Sequence, residues 1–162
     1  MKRPGIFLLT LALCASLLWG CTPKDQTVIC GKLTVTLPGT YQDKGNEPYA
    51  DGLDLLYSNE TVAVMVTSED ASVLTAYFPD MGAMEYAQLF LQSNGLPGNV
   101  KSLDSIPIFT YTRDSGSTSL TYLCGVFASA QRFWVVQLYC DTQLYPKQQA
   151  QMQQILSSVR LG

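Results

Sequence analysis

The amino-acid sequence predicts an α+β fold in which helices pack over an antiparallel sheet. Three observations lead to this class. The chain opens with a β-branched, alternating segment; it contains a long hairpin of two strongly β-forming segments; and two amphipathic helical segments stand apart from the strands. Strands grouped apart from helices are typical of α+β folds, whereas α/β folds alternate the two.

The first predicted strand covers VICGKLTVTLP at residues 28–38. Its alternation would turn Leu33, Val35 and Leu37 to one face and the intervening polar residues to the other. A polar loop follows. LDLLY and TVAVMVT then predict a hairpin about residues 58–60.

Helical segments follow at three places. SEDASVLTAYFPD indicates a short helix that Ser68 caps, with Glu69 and Asp70 in its first turn. An apolar stripe predicts a longer helix over residues 82–93. The last helix should begin near Pro146, since proline is favoured in a first turn. Its apolar stripe consists of Met152, Ile155, Leu156 and Val159.

The remaining strands lie between the last two helices. VKSLDSI and IFTYTR read as short strands separated by Pro107. STSLTYLCGVFA and RFWVVQLYC predict a long hairpin about residues 129–130.

Three cysteines, Cys30, Cys124 and Cys140, follow the N-terminal segment, and an odd number cannot pair completely. If Ala128 opposes Gln131 in the hairpin, Cys124 and Cys140 lie roughly 16 Å apart along the strands. Bridged cysteines need Cα atoms within about 7 Å. This leaves two alternatives: three buried thiols, or a disulfide that joins Cys30 to Cys124 or to Cys140.

The N-terminus combines two early basic residues with an uncharged run from Ile6 to Trp19, about fourteen residues long. Such a run is too short to span a membrane and suits a signal peptide. LWGC at residues 18–21 resembles the bacterial lipobox. The resemblance implies cleavage after Gly20 and acylation of Cys21 by a diacylglycerol thioether and chains such as palmitate. An ordinary signal peptide or an uncleaved anchor is the alternative.

The predicted organisation is therefore a signal peptide at residues 1–20, a lipidated cysteine and short tether at residues 21–27, and one globular domain at residues 28–162. Two acyl chains suffice for stable anchoring to the extracytoplasmic side of the cell membrane. Signal cleavage would leave eight of ten basic residues against thirteen acidic ones. So acidic a domain should not bind nucleic acid, and its membrane contact should be the lipid.

Three segments resemble the PsbP-like superfamily, which includes bacterial lipoproteins of the DcrB type. They are LTVTLPGTY at residues 33–41, FWVVQLYC at 133–140 and QQAQMQQILSSVRL at 148–161. The resemblance implies an antiparallel sheet with helices over its faces and a binding or accessory role, with no catalytic residues to transfer. A cystatin-like or NTF-like α+β fold is the alternative.

The sequence contains no histidine, which removes the commonest general base and most zinc or copper sites. It also lacks a CxxC pair, a glycine-rich phosphate loop and a GxSxG motif. We therefore predict no catalytic residue, no metal ligand and no cofactor.

Two groups of acidic residues and one group of aromatic residues are candidate sites. Asp43, Glu47, Asp51 and Asp54 could bind Ca²⁺, but their spacing is not that of a calcium loop, and a solvated loop is the favoured interpretation. For Glu69 and Asp70, helix capping is favoured over acid–base chemistry. The aromatic side chains on one face of the long hairpin could bind a sugar or apolar ligand, but core packing is favoured. These are Tyr122, Tyr139 and Phe133.

The predicted function is a non-catalytic binding or accessory module of the cell envelope, whose partner is an unknown protein or small ligand. One alternative is a carboxylate hydrolase that acts on cell-wall glycan, which would need two carboxylates about 5–9.5 Å apart in a cleft. The other is a structural subunit of an envelope complex, which a large exposed apolar patch would favour.

Overall fold

The computed structural model describes residues 23–162, which form two antiparallel sheets and three helices. The α+β prediction is therefore confirmed. The signal peptide and Cys21 lie outside the described residues.

The smaller sheet begins with a hairpin where the sequence predicts one strand. β1 (Gln26–Cys30) and β2 (Leu33–Leu37) pair antiparallel and are joined by Gly31 and Lys32. Gly31 has a φ of 61°, a left-handed conformation that glycine adopts without steric strain. The single strand over residues 28–38 is therefore wrong. β1 also begins two residues before the predicted start of the globular part.

β2 is the central strand of this sheet, because β10 (Arg160–Leu161) pairs with its other edge. The alternation predicted for β2 is present. Leu33, Val35 and Leu37 are all fully buried, and the threonines between them are partly exposed.

The larger sheet has seven strands. They are β3 (Gln42–Asp43), β4 (Leu55–Ser58), β5 (Val62–Asp70), β6 (Lys101–Leu103), β7 (Ile106–Ser115), β8 (Thr118–Ala128) and β9 (Arg132–Asp141). Their order across the sheet is β3-β4-β5-β9-β8-β7-β6. The hairpins predicted about residues 58–60 and 129–130 are both present.

Pro107 does not separate two strands but lies inside β7. It pairs with Ser102 of the edge strand β6, whereas the pairing of β7 with β8 begins only at Ile108. A proline lacks an N–H group and is tolerated where a strand is unpaired on one side.

The helices are α1 (Ala71–Thr75), α2 (Ala83–Ser93) and α3 (Tyr145–Ser158), and a short 3-10 helix covers Pro48–Ala50. α2 and α3 match the two longer helices that the sequence predicts. Within residues 23–162 no helix combines the length and apolar character needed to cross a bilayer.

Each face of the larger sheet carries its own core. The smaller sheet and α3 cover one face, where Met152 and Leu156 are fully buried against strands β5, β8 and β9. α3 comes close to the sheet at Gly125, where an added Cβ would lie 2.9 Å from Leu156 Cδ2. α1 and α2 cover the other face, where Ala87 and Phe133 are buried.

The register of the long hairpin differs from the prediction. Ala128 pairs with Phe133 and not with Gln131. Cys124 and Cys140 belong to the cores on opposite faces of the sheet, so they point away from each other. For the described residues the alternative without a disulfide is correct, because Cys30, Cys124 and Cys140 are all free. Cys124 and Cys140 are buried as predicted, whereas Cys30 is only partly buried.

The first described residues, Pro23 and Lys24, lie directly against Gly39 of the LPGTY segment. A Cβ on Gly39 would overlap the Lys24 carbonyl oxygen and would come within 2.7 Å of Pro23 Cβ. Glycine at this position therefore fixes where the N-terminal segment leaves the domain.

We expect Gly39→Ala to lower the free energy of unfolding by about 1–3 kcal/mol, because the new methyl group has no space. Urea unfolding followed by circular dichroism measures this change. Thr40→Ala is the matched control, since Thr40 is exposed and its loss should change stability by less than about 0.5 kcal/mol. Equal stability of the Gly39→Ala variant and the parent would contradict the contact.

Candidate functional site

A cleft of about 530 Å³ opens between the turn of the β1–β2 hairpin and one end of the larger sheet. Ile29, Lys32, Asp54, Arg132 and Trp134 are among the residues that line it. With Ser68, they come from four separate segments of the chain. Trp134 is only 3% exposed and supplies an apolar wall, whereas Ile29 is 71% exposed. The cleft therefore combines an apolar interior with charged residues.

Two cations border one end of this cleft. Lys32 Nζ donates to Gln131 Oε1 at 3.0 Å, and Arg132 Nη1 donates to Ser68 Oγ at 2.7 Å. Both cationic side chains are exposed. These hydrogen-bond partners are neutral, so both cations can attract an anionic group, although Asp70, which pairs with Arg132 across β5 and β9, offsets part of the Arg132 charge. We call this pair the cation end.

Cys30 lies in the same cleft as a protonated thiol. Its Sγ is 3.7 Å from the backbone carbonyl oxygen of Asp54. Burial raises the pKa of the Cys30 thiol, the Asp54 carboxylate raises it further, and Arg132 opposes the rise. A nucleophilic cysteine needs a lowered pKa, so this environment does not favour thiol chemistry.

A second cleft, of about 270 Å³, continues along β1. Val28 and Ile29 form one side, and Asp43, Asp54 and Tyr57 lie on the other. Ile29 and Asp54 border both clefts, and no residue of β2 lines either of them. The two clefts together follow β1 on the side away from β2, and we call them the β1 groove.

The backbone of β1 has a free edge. Within the described chain, β1 pairs with β2 alone. The Gly162 N–H donates to the Lys32 carbonyl oxygen at 2.8 Å. Because backbone groups alternate in direction along a strand, Lys32, Thr34 and Thr36 turn theirs toward the side of β10. The other residues of β2 turn theirs toward β1, where their partners include Val28. The N–H and C=O groups of Thr27 and Ile29 therefore point away from β2.

The predicted acidic loop does not assemble a metal site. Asp43 accepts a hydrogen bond from the Gly45 N–H at 2.8 Å, and Asp54 borders the β1 groove. Glu47 precedes the short 3-10 helix and Asp51 follows it. From residue 23 onwards, no group of three or more His, Cys, Asp or Glu side chains is arranged to hold a metal ion.

Asp70, and not Ser68, caps α1. Its Oδ1 accepts the Ser72 N–H at 2.8 Å, and the hydrogen bonds from Ser72 lower the pKa of Asp70. Ser68 lies inside β5 because the pairing of β5 with β9 continues through Asp70. The Ser68 cap is therefore wrong, while the capping interpretation holds for Asp70.

Tyr111, Tyr122 and Tyr139 form a ladder across β7, β8 and β9. Neighbouring ring centroids are 4.6 and 5.0 Å apart. The two neighbours cover both faces of Tyr122, so this ring does not offer the open face on which a sugar stacks. Phe133 stacks on Tyr86 of α2 at 4.5 Å and is 1% exposed. These contacts favour core packing over the ligand platform.

The residues at the cation end belong to no sequence motif. Lys32 lies in a turn, and Arg132 begins a strand a hundred positions away, so no local pattern links them. Ile29 carries the one usable signal. It is a large apolar residue at an outward position of a strand that contains no charge.

Neither a protein-family model nor a curated protein sequence matches the chain. The fold does match known structures. The solution structure of cyanobacterial PsbP (CyanoP) from Synechocystis sp. PCC 6803 aligns with a TM-score of 0.58 at 10% identity, over 86% of this chain and 94% of that one. A crystal structure from Bacteroides thetaiotaomicron VPI-5482 aligns with a TM-score of 0.57 at 9% identity, over 87% of this chain.

The chain spans about half the length, 49%, of the Bacteroides chain. At these identities the likeness defines the fold and leaves function open. The protein has a PsbP-like α+β fold, and that part of the predicted resemblance is confirmed.

We expect Asp54→Asn to lower the pKa of the Cys30 thiol, because it removes a negative charge that disfavours the thiolate. Alkylation of Cys30 at about pH 8 should then be faster than in the parent, because a lower pKa raises the fraction of the thiol that is ionised at this pH. Mass spectrometry of iodoacetamide-treated protein measures each site. Asp51→Asn is the matched control, and Cys124 and Cys140 should react slowly in every variant because they are buried. An unchanged Cys30 rate in Asp54→Asn would contradict this placement of charge.

Proposed function

We propose that the protein is an extracytoplasmic bacterial lipoprotein of the DcrB type, which binds a partner without catalysing a reaction. The observation that carries the proposal is the lipobox-like LWGC at residues 18–21, directly after a short uncharged run. Acyl chains on Cys21 would hold the domain at the membrane. The β1 groove would receive the partner, either a protein or a small ligand.

The position of the first described residues relative to the groove supports this arrangement. Pro23 packs beside Gly39 and is two positions after Cys21 in the sequence, which is at most about 7 Å of extended chain. From Gln26 the strand β1 runs roughly 13 Å to Cys30. The cation end therefore lies at the far end of β1 from the proposed anchor, where an aqueous partner would reach it.

The chemistry of the groove also supports binding without catalysis. Its cysteine has a raised pKa, and the sequence supplies no histidine that could activate it. Both features argue against thiol catalysis. The carboxylate hydrolase is a separate alternative, because Asp43 and Asp54 both border the second cleft.

Replacement of Cys21 by Ser should abolish the incorporation of palmitate, since the thioether cannot form. Metabolic labelling with radioactive palmitate measures this property. Cys14→Ser is the matched control, because Cys14 lies in the predicted signal peptide and its loss should leave the labelling unchanged. A Cys21→Ser protein that still incorporates palmitate would refute the lipid anchor.

A structural subunit of an envelope complex is a second candidate, favoured by an exposed apolar patch. Val73 and Tyr77 are 64% and 80% exposed, and Phe78 beside them is 52% exposed. These residues lie on α1 and in the turn that follows it. Exposed large apolar side chains that cluster in this way mark contact surfaces.

If this patch holds the protein in a complex, Tyr77→Ser combined with Phe78→Ser should lower the apparent mass of the detergent-extracted protein on native gels. Tyr49→Ser is the matched control, since Tyr49 is 65% exposed and lies outside the patch. An identical mass for all three proteins would remove this candidate.

A further inference from the structure

We propose that the β1 groove binds an extended peptide segment, which adds to the free edge of β1 as a new strand and places an acidic group at the cation end. The proposal rests on the binding function proposed above and specifies its ligand. Three features of the groove carry it: its unpaired backbone, its course along the strand and its charge.

The first feature is the row of unpaired backbone groups. Thr27 and Ile29 each direct one N–H and one C=O away from β2, and such a row is a template for another strand. Natural edge strands are usually protected by proline, by charged side chains or by a covering segment. β1 reads QTVIC and contains neither proline nor charge, and Ile29 is exposed at 71%.

The second feature is the course of the groove. Its two clefts meet at Ile29 and Asp54 and are lined by β1 residues but not by β2 residues. The open space therefore extends along the unpaired side of β1 and is not limited to one position. Strand addition needs this shape, because main-chain hydrogen bonds supply the affinity and alternate side chains enter pockets. Trp134 would form the wall of such a pocket.

The third feature is charge. Lys32 and Arg132 stand at one end of the groove, Asp54 lies where the two clefts meet, and Asp43 borders only the second cleft. A peptide with an acidic residue or its terminal carboxylate at the cation end would match this arrangement. Charge of this kind selects a partner and its register more than it sets the total affinity.

The test uses the full-length protein in detergent micelles, against which a phage library of random dodecapeptides is selected. We expect enriched peptides to contain β-branched residues and at least one Asp or Glu. Thr27→Pro should weaken their binding at least tenfold, because it removes an edge N–H that makes no bond to β2. Thr27→Val is the matched control and should bind within twofold of the parent, because it keeps that N–H.

A second measurement leaves the protein unchanged, in case the proline variant is poorly folded. N-methylation of the peptide at alternate residues should abolish binding for one of the two alternations, because only that one removes the bonds to β1. Arg132→Gln should weaken acidic peptides several-fold. Lys24→Gln, which removes the same charge ahead of β1, should not.

Several results would overturn the proposal. The first is a selection that enriches no peptide. The second is a set of enriched peptides that bind Thr27→Pro as tightly as the parent. The third is an equal loss of acidic-peptide binding in Arg132→Gln and Lys24→Gln. Binding of succinate at the cation end without any peptide binding would mean that the groove takes a small anion. Dimerisation that Thr27→Pro abolishes, again without peptide binding, would mean that the edge serves a second copy.

The proposal can fail separately from the proposed anchor. Peptide binding should be the same for Cys21→Ser and the parent, because the residues that line the groove lie between Val28 and Trp134. Loss of anchoring with peptide binding intact would leave this inference standing. Membrane anchoring without peptide binding would refute this inference alone.

Discussion

The groove depends on the burial of β2 against the larger sheet. Leu33, Val35 and Leu37 are all fully buried there, and each such side chain contributes roughly 1.5–3 kcal/mol. β1 has no comparable burial of its own, since Thr27 and Ile29 are exposed. The ladder with β2 holds β1 in place, so a half-exposed strand is positioned by one of the most deeply buried strands.

Patterns that extend over ten or more residues predicted the fold well. The long hairpin, α2 and α3 follow from such patterns. The misses have local causes. The residues on both sides of Gly31 and Lys32 are strand-forming, so the hydrophobic pattern does not show the turn there. The register after Ala128 is shifted by an even number of residues, which keeps every side chain on its expected face and so leaves no trace in the sequence.

The lipobox-like segment and the β1 groove differ in how far the sequence reveals them. The first is four consecutive residues, and its chemistry can be inferred from those residues alone. The second joins Lys32 to Gln131, which are 99 positions apart, and adds Asp54 from a third segment. No spacing rule connects these residues, because tertiary packing alone brings them together. The free edge of β1 exists because the turn at Gly31 makes β1 a separate strand, and the sequence pattern does not show this turn.

The contacts of the smaller sheet span most of the chain. The Thr34 hydroxyl donates to the carbonyl oxygen of Arg160, 126 positions away, whereas β7, β8 and β9 are joined by short turns. Closing long loops costs more entropy and is slow, so the meander of neighbouring strands should form early and the smaller sheet late. A folding intermediate that already has most of its secondary structure would still be unable to recognise a ligand. Ligand binding would therefore occur only after the whole chain has reached its native topology.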